Sequence, residues 1–216
     1  MSTVAEPQIV ASTFLNAFLE EWAALVADNE RKGLVVDAYG TNGRWSACML
    51  GPHRGNEPPG GLKKYLGEKG FLARVGSRLG VPPEQVRRED YTLDCCYVGG
   101  EKLMSHDNWG YASYLRVLIE HENDLSSIHY EMWKLLFWRS PLKIIISYEG
   151  KGDENRGSTL LERKIDCLRS MRESVDAHTL EGPNVSYLLL VGARDAANEL
   201  PHWKFSLNFQ KAEPLG

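Results

Sequence analysis

An α/β fold, with a central sheet covered by helices on both faces, is the fold class that the sequence predicts. Two apolar runs, LKIIISY at 142–148 and VSYLLLVG at 185–192, have the continuous hydrophobicity of strands buried on both faces. Segments with helical periodicity lie before and between them, and strand–helix–strand order is typical of a sheet flanked by helices. The length of 216 residues is enough for one domain with a sizeable core, so we expect a single domain over residues 1–216.

The first predicted element is a helix over about residues 8–30. Its large apolar side chains form one stripe at about 100° per residue: Phe14, Phe18, Trp22 and Leu25. On the same helical wheel Glu21 falls on the apolar side. A carboxylate on a core-facing stripe is unusual, which makes Glu21 a candidate functional residue.

The segment at 40–62 is rich in Gly, Pro and Asn and predicts a long loop that holds a short strand around Trp45–Leu50. The elements expected beyond it are a short helix, a strand, a loop and a second strand: 62–80, 91–98, 99–110 and 111–122. The two strands have the sequences YTLDCCYV and YASYLRVLIEHE, and both are rich in residues that favour sheets.

The C-terminal part alternates helices and strands. Asp124 or Ser126 can cap a helix over about 126–138, because short polar side chains accept hydrogen bonds from the first helical N–H groups. Thr159 and Glu162 have capping-box spacing for a helix that ends near 177. The expected strands of this part are the two apolar runs and a half-exposed strand with alternating polarity: 142–148, 185–192 and 202–209.

Composition excludes several classes of protein. The net charge of −4 and a pI near 5.9 mean that any nucleic-acid contact must come from a local basic patch. The first residues lack a basic region followed by an apolar run, and no apolar stretch approaches the ~20 residues of a membrane span. Four cysteines without a CxxC spacing indicate buried thiols in a reducing compartment. We therefore expect a cytoplasmic protein without a membrane segment.

Acidic side chains accumulate at the end of the strand 111–122. Glu120 and Glu122 share one face of the strand, because strand side chains alternate with a period of two. Two carboxylates about 4 Å apart repel by roughly 4 kcal/mol at an effective dielectric near 20. Pairing with the strand 91–98 would bring Asp94 close to Glu120. Clustered carboxylates are ligands suited to Mg²⁺ or Mn²⁺, and such an ion would remove the repulsion.

These residues in this order resemble the PD-(D/E)XK nuclease superfamily, which has the restriction-endonuclease-like fold. Asp94 matches the motif Asp, Glu120 the first acid of the (D/E)-x-K pair, and Glu122 the lysine position. Glu21 matches a glutamate that many members carry on the first helix, and Lys134 is placed for members whose lysine has moved to the following helix. The resemblance covers about 8–148, with an insertion at about 40–85.

The resemblance implies a metal-dependent phosphodiesterase that cuts DNA. In that function Asp94 and Glu120 hold Mg²⁺ or Mn²⁺, Glu21 contributes to the metal site, and Lys134 or Glu122 assists the nucleophile. Basic residues in or next to the insertion are candidates for holding backbone phosphates: Lys63, Lys64, Arg74, Arg78, Arg87 and Arg88.

Two other functions stay open. One is a non-catalytic descendant of the fold that acts as a binding or assembly module, for which the acidic pI and the Glu at the lysine position are arguments. The other is an enzyme that uses the same metal chemistry on a smaller substrate. A homodimer is compatible with each of them.

Each candidate residue also has a plainer explanation: solvated acids at a strand end, a Glu21 that reaches water, an Asp94 paired with an arginine, and a Lys134 on a solvated helix face.

Overall fold

A mixed sheet of seven strands organises the part of the chain that the computed structural model describes. Those residues are 8–53, 55–90, 92–99, 104–106, 109–111, 114–149, 157–175, 184–193 and 200–215. The strands of this sheet are β1 Val86–Asp90, β2 Leu93–Gly99, β5 Tyr114–His121, β6 Leu142–Tyr148, β7 Ser186–Ala193, β8 His202–Leu207 and β9 Glu213–Pro214. A separate two-stranded ladder pairs β3 Met104–His106 with β4 Trp109–Tyr111.

The spatial order of the large sheet is β1-β2-β5-β6-β7-β8-β9. β5, β6 and β7 run parallel, whereas the pairs at both sides of them are antiparallel. Parallel neighbours need a crossover connection, and helices that precede β6 and β7 supply it. The predicted α/β class and the central position of the two apolar runs are confirmed.

Helices cover both faces of the sheet. Their bounds are α1 Ala11–Val26, α2 Asn29–Tyr39, α3 Asn42–Leu50, α4 Gly60–Leu66, α5 Gly70–Arg78, α6 Ile128–Leu136 and α7 Gly157–Ser174. Helices α1 to α5 pack together on one face, and α6 and α7 pack on the other. Within the described ranges, none of the helices combines the length and the apolar character that crossing a membrane requires.

Strand alternation divides the core into two clusters. On β5, Val117 and Ile119 belong to the cluster under α1, whereas Leu118 belongs to the cluster under α6. Because side chains of one strand alternate between faces, Glu120 points with Leu118 toward α6. The face that carries α1 is filled by aromatic rings, and Trp22 and Trp203 meet edge to face at 5.4 Å.

The first predicted helix is two helices in the structure. α1 ends at Val26, and Asp28 then caps α2 by accepting a hydrogen bond from the backbone N–H of Arg31 at 2.9 Å. A capping side chain offers the backbone an alternative to continuing the first helix. The amphipathic stripe of α1 is nevertheless buried as expected.

The insertion is helical where a loop and a strand were predicted. Trp45–Leu50 forms most of α3, and every residue from Trp45 to Leu50 is buried. A short run of buried residues does not distinguish a strand from a helix packed on all sides, so the prediction of a strand was wrong for a physical reason. The helix expected over 62–80 is divided into α4 and α5, since Gly67 and Gly70 take φ of 68° and 74°.

Candidate metal centre

Three carboxylates meet at one end of the sheet: Asp94 on β2, Glu120 on β5 and Glu131 on α6. One oxygen of each side chain lies within 4.8 Å of the other two. Glu120 is buried, while Asp94 and Glu131 are half-buried. We refer to these three residues as the carboxylate cluster.

Strand register brings Asp94 and Glu120 together. β2 and β5 are antiparallel with Cys96 opposite Leu118, and two further steps along this register place Asp94 opposite Glu120. Directly opposite side chains of an antiparallel pair lie on the same face. Asp94 Oδ2 also accepts a hydrogen bond from the backbone N–H of His121 at 2.8 Å, which ties its carboxylate to the end of β5.

Glu120 is the most confined member of the cluster, with none of its surface exposed. Its Oε2 accepts a hydrogen bond from Lys134 Nζ at 2.7 Å, whereas its Oε1 has no hydrogen-bond partner among the described residues. Burial, the nearby charge of Asp94 and the neighbouring carboxyl group of Glu131 raise the pKa of Glu120 to about 9, and the contact with Lys134 offsets only part of that rise. Among the described residues, Lys134 thus does not keep all three carboxyl groups ionised, and Glu120 holds a proton near pH 7 unless another cation binds.

Among the described residues, Lys134 is the cation that pairs with the carboxylate cluster. It pairs with Glu120 and also with Glu131, three residues earlier on α6, and its side chain stays 30% exposed. Burial by itself lowers the pKa of Lys134, but hydrogen bonds to the two carboxylates outweigh burial and leave that pKa above its usual range. The ammonium group thus occupies the space between two members of the cluster.

Glu131 was missed in the sequence. An acid in the first turn of a helix is common, because it complements the partial positive charge of that helix end. The signal that was available is spacing: Glu131 lies three residues before Lys134, and residues at this spacing are neighbours on a helix surface. Any helix that carries Lys134 to Glu120 therefore carries Glu131 there as well.

Glu122, predicted beside Glu120, lies next to the cluster and outside the three-carboxylate set. Its Oε1 accepts a hydrogen bond from the backbone N–H of Asp124 at 3.0 Å. Burial raises the pKa of Glu122, with a further contribution from the charge of Glu131, although the N–H of Asp124 acts in the opposite direction. Glu122 is half-buried, so it remains close to the charges of the cluster and still reaches water.

Glu21 lies apart from the cluster, on the opposite face of the sheet, which corrects its predicted part in the metal site. Its carboxylate accepts hydrogen bonds from Arg74 Nε, from Arg78 Nε at 2.6 Å and from Tyr65 Oη at 2.9 Å. Burial would raise the pKa of Glu21, but these three donors outweigh burial, and the net pKa is lowered. With both oxygens engaged by two arginines, Glu21 is left out of the metal site that we infer.

His121 lies behind the cluster, on the face that carries α1. Its Nε2 is 2.9 Å from the hydroxyl of Tyr148, and burial lowers the pKa of the imidazole to about 4. The ring is therefore neutral near pH 7, and its backbone N–H is the group that contacts Asp94.

No protein-family model matches the chain, and a search of curated proteins found no significant match. The chemistry of the site is therefore inferred from its geometry. Of the residues predicted for the site, the structure brings Asp94, Glu120 and Lys134 together, places Glu122 beside them and separates Glu21 from them.

Proposed function

We propose that the chain is a metal-dependent phosphodiesterase that cuts DNA, built on a fold like that of the PD-(D/E)XK nucleases. The observation that carries the proposal is the buried Oε1 of Glu120, which has no partner among the described residues and lies in a group of three carboxylates. A buried carboxylate oxygen without a partner is costly, and a bound cation would satisfy it. The order β2, β5, α6, β6, with acids on both strands and a lysine on the helix, supports the family resemblance.

The oxygen set fits one divalent ion. Two oxygens bound to the same Mg²⁺ at about 2.0–2.1 Å are at most about 4.2 Å apart. At least two of the three oxygen pairs on one octahedral ion are cis, about 2.9 Å apart. The cluster's oxygens lie within 4.8 Å of each other, so a shift of up to about 1 Å per side chain would complete the site. Carboxylates are the hard ligands that Mg²⁺ and Mn²⁺ prefer. Asp94, Glu120 and Glu131 are the residues that would hold the ion, and Glu131 takes the place that was predicted for Glu21.

Each residue of the site has a separate task in phosphodiester hydrolysis. An ion held by Asp94, Glu120 and Glu131 would lower the pKa of a water bound to it and would neutralise charge on the phosphoryl oxygens. Glu122, raised in pKa and half-exposed, accepts the proton of the water whose oxygen forms the new bond to phosphorus as the P–O bond to the leaving strand breaks. Lys134 presents its ammonium to the developing negative charge, which its exposed side allows.

Cleavage of a supercoiled plasmid with Mg²⁺ or Mn²⁺ tests the proposal. We expect wild type to nick the plasmid, Glu120→Gln to lose that activity, and Lys134→Met to lose it while still binding the metal. Lys211→Met is a matched control, because Lys211 is an exposed lysine that follows β8 and lies outside the carboxylate cluster. A wild-type protein that is folded and binds Mn²⁺ but leaves every nucleic acid intact would refute the nuclease function.

A non-catalytic assembly module is the second candidate, and one observation favours it. Helix α6, which carries Lys134, and the residue that follows it expose three aromatic side chains. These are Tyr130, Trp133 and Phe137, whose exposed fractions are 65%, 54% and 63%. In this function Lys134 is the permanent counter-ion of Glu120 and Glu131, and the aromatic residues bury against a second copy. Light scattering with Trp133→Ser separates the candidates: an assembly module dissociates in this variant, whereas a monomeric nuclease is unchanged in mass.

A further inference from the structure

A second charged cavity lies on the face of the sheet opposite the carboxylate cluster. It has a volume of about 450 Å³ and is formed by β1, the chain that follows α3 and the residue that precedes α5. This volume is within the range of small-ligand sites. The basic residues that line it are Lys69, Arg87, Arg88 and His53. Glu89 is the acidic residue among the described lining residues. We refer to it as the basic cavity.

Two of its cations are held by neutral groups. Lys69 Nζ donates to the carbonyl oxygens of Pro83 and Val86, the latter at 3.0 Å. Arg88 Nη1 donates to the carbonyl oxygens of Leu50 and Pro52 at 2.8 and 3.2 Å. Carbonyl oxygens fix the position of a cation without cancelling its charge. Both charges therefore stay available to an anion, in contrast to those of Arg74 and Arg78, which face Glu21.

The local backbone is shaped around Arg88. Gly51 has a φ of 91°, and a Cβ on it would lie 2.5 Å from Arg88 Nη1 and 2.4 Å from the carbonyl oxygen of Glu68. Only glycine fits such a position without strain. Close packing at Gly51 thus holds the guanidinium in one place, as a preformed anion site requires.

The cations around Lys69 lie close enough to repel its charge. Burial lowers the pKa of Lys69, and the charges of Arg88 and Arg87 lower it further, while Glu84 acts in the opposite direction. Mutual repulsion among cations that are held in place is relieved when an anion binds between them.

The cavity lies one strand away from the carboxylate cluster. Arg88 on β1 pairs with Cys95 on β2, the residue that follows Asp94. Neighbouring strands are about 4.8 Å apart, and a DNA strand carries a phosphate every ~3.4 Å along the helix axis. The two sites lie on opposite faces, so a polynucleotide with one phosphate at the cluster brings a further phosphate toward the cavity when it continues around the edge strand β1.

We infer that the basic cavity binds a phosphate group through Lys69 and Arg88. The site is inferred from the cavity itself, whereas the assignment of its phosphate to a nucleic-acid backbone rests on the proposed function. Within that function the cavity holds a non-scissile phosphate and sets the position of the strand along the sheet edge.

Binding without cleavage tests the inference. The probe is a short fluorescein-labelled DNA duplex, followed by anisotropy in EDTA over a range of salt concentrations. Lys69→Gln combined with Arg88→Gln removes two charges and keeps amide donors for the local carbonyl oxygens. The matched control combines Lys32→Gln on α2 with Lys211→Gln, which follows β8. We expect the cavity variant to lose at least about tenfold in affinity and about two units of salt slope, at ~0.9 per phosphate contact. The control should lose less than threefold.

Inorganic phosphate supplies the second arm of the test. Phosphate stabilises proteins generally by exclusion from their surface, so the readout is the difference in melting temperature between phosphate and chloride at equal ionic strength, compared between wild type and the cavity variant. Lys69→Gln alone serves as the milder variant if the double variant does not fold.

Each outcome decides the inference. Loss of both phosphate stabilisation and duplex binding in the cavity variants supports a backbone-phosphate site. Phosphate stabilisation that depends on the cavity, without duplex binding by wild type, keeps the phosphate site and rejects the nucleic-acid source. Equal behaviour of wild type and cavity variants in both assays overturns the site. Because EDTA prevents cleavage, failure of the nuclease function would appear separately, in the plasmid assay.

Discussion

Two buried glutamates on opposite faces of the sheet differ in their partners, and the difference separates a structural carboxylate from a candidate ligand. Glu21 is 1% exposed and Glu120 is 0% exposed. Glu21 faces two arginines and a tyrosine hydroxyl, whereas Glu120 faces one lysine and two further carboxylates. The pKa of Glu21 is lowered and that of Glu120 is raised to about 9. Burial is equal, so the neighbours decide which carboxylate is held ionised by cations and which keeps a proton unless a further cation binds.

Among the measurements that test the difference between Glu21 and Glu120, the largest expected effect is on the cleavage rate. Glu120→Gln removes a ligand of the proposed metal site, and we expect the cleavage rate to fall by at least about 10²-fold, which is about 2.7 kcal/mol in activation free energy. Glu21→Gln should retain most of the wild-type rate per folded molecule, since Glu21 is apart from the cluster. Single-turnover plasmid nicking, normalised to the folded fraction from circular dichroism, measures both. Equal losses in the two variants would show that the two sites are coupled.

The free energy of unfolding should change in the opposite order, with the larger loss in Glu21→Gln and the smaller one in Glu120→Gln. Glu21→Gln leaves Arg74 and Arg78 without their carboxylate, and we expect a loss of about 2 kcal/mol in the free energy of unfolding. The value is below that of a fully buried pair, because the arginine side chains are 38% and 34% exposed and keep part of their hydration. Glu120→Gln should change stability by less than about 0.5 kcal/mol, since an amide resembles the protonated acid that a raised pKa favours. Urea unfolding in EDTA, with Glu30→Gln on α2 as control, measures the difference.

Magnesium should stabilise only the protein whose cluster is intact. A ligand that binds the native state adds RT ln(1 + [L]/Kd), which is about 1.4 kcal/mol at ten times Kd. For a chain of this size that corresponds to a rise of roughly 3–6 °C in the melting temperature. Glu21→Gln should show the same rise from its lower starting point, and Glu120→Gln should show none. A rise in Glu120→Gln equal to that of wild type would place the ion elsewhere.

The sequence was sufficient to predict that the strand residues Asp94 and Glu120 lie together, but it did not predict the residues that helices contribute to either site. Continuous apolar runs and strand period were enough to bring Asp94 and Glu120 to one face, because neighbouring strands have few registers that bury their apolar side chains. Glu21 was recognised as buried, but its partners Arg74 and Arg78 arrive from α5, more than fifty positions along the chain. Their approach depends on how α3, α4 and α5 pack, and glycine-rich sequence conceals those helices.

The smallest expected effect is the pH dependence of the Glu21 site. The pKa of Glu21 is lowered on folding, so the native state binds fewer protons there than the unfolded chain does. Stability from this group is therefore fully present above the unfolded pKa, about 4.5, and is lost as pH falls through the folded value. Glu21→Gln cannot titrate at this position, so its stability deficit relative to wild type should be constant above about pH 5 and should shrink toward pH 3. Paired urea titrations at several pH values measure that deficit. A deficit that stays unchanged down to pH 3 would mean that folding does not shift the pKa of Glu21, and a deficit that grows as pH falls would mean that its pKa is raised like that of Glu120.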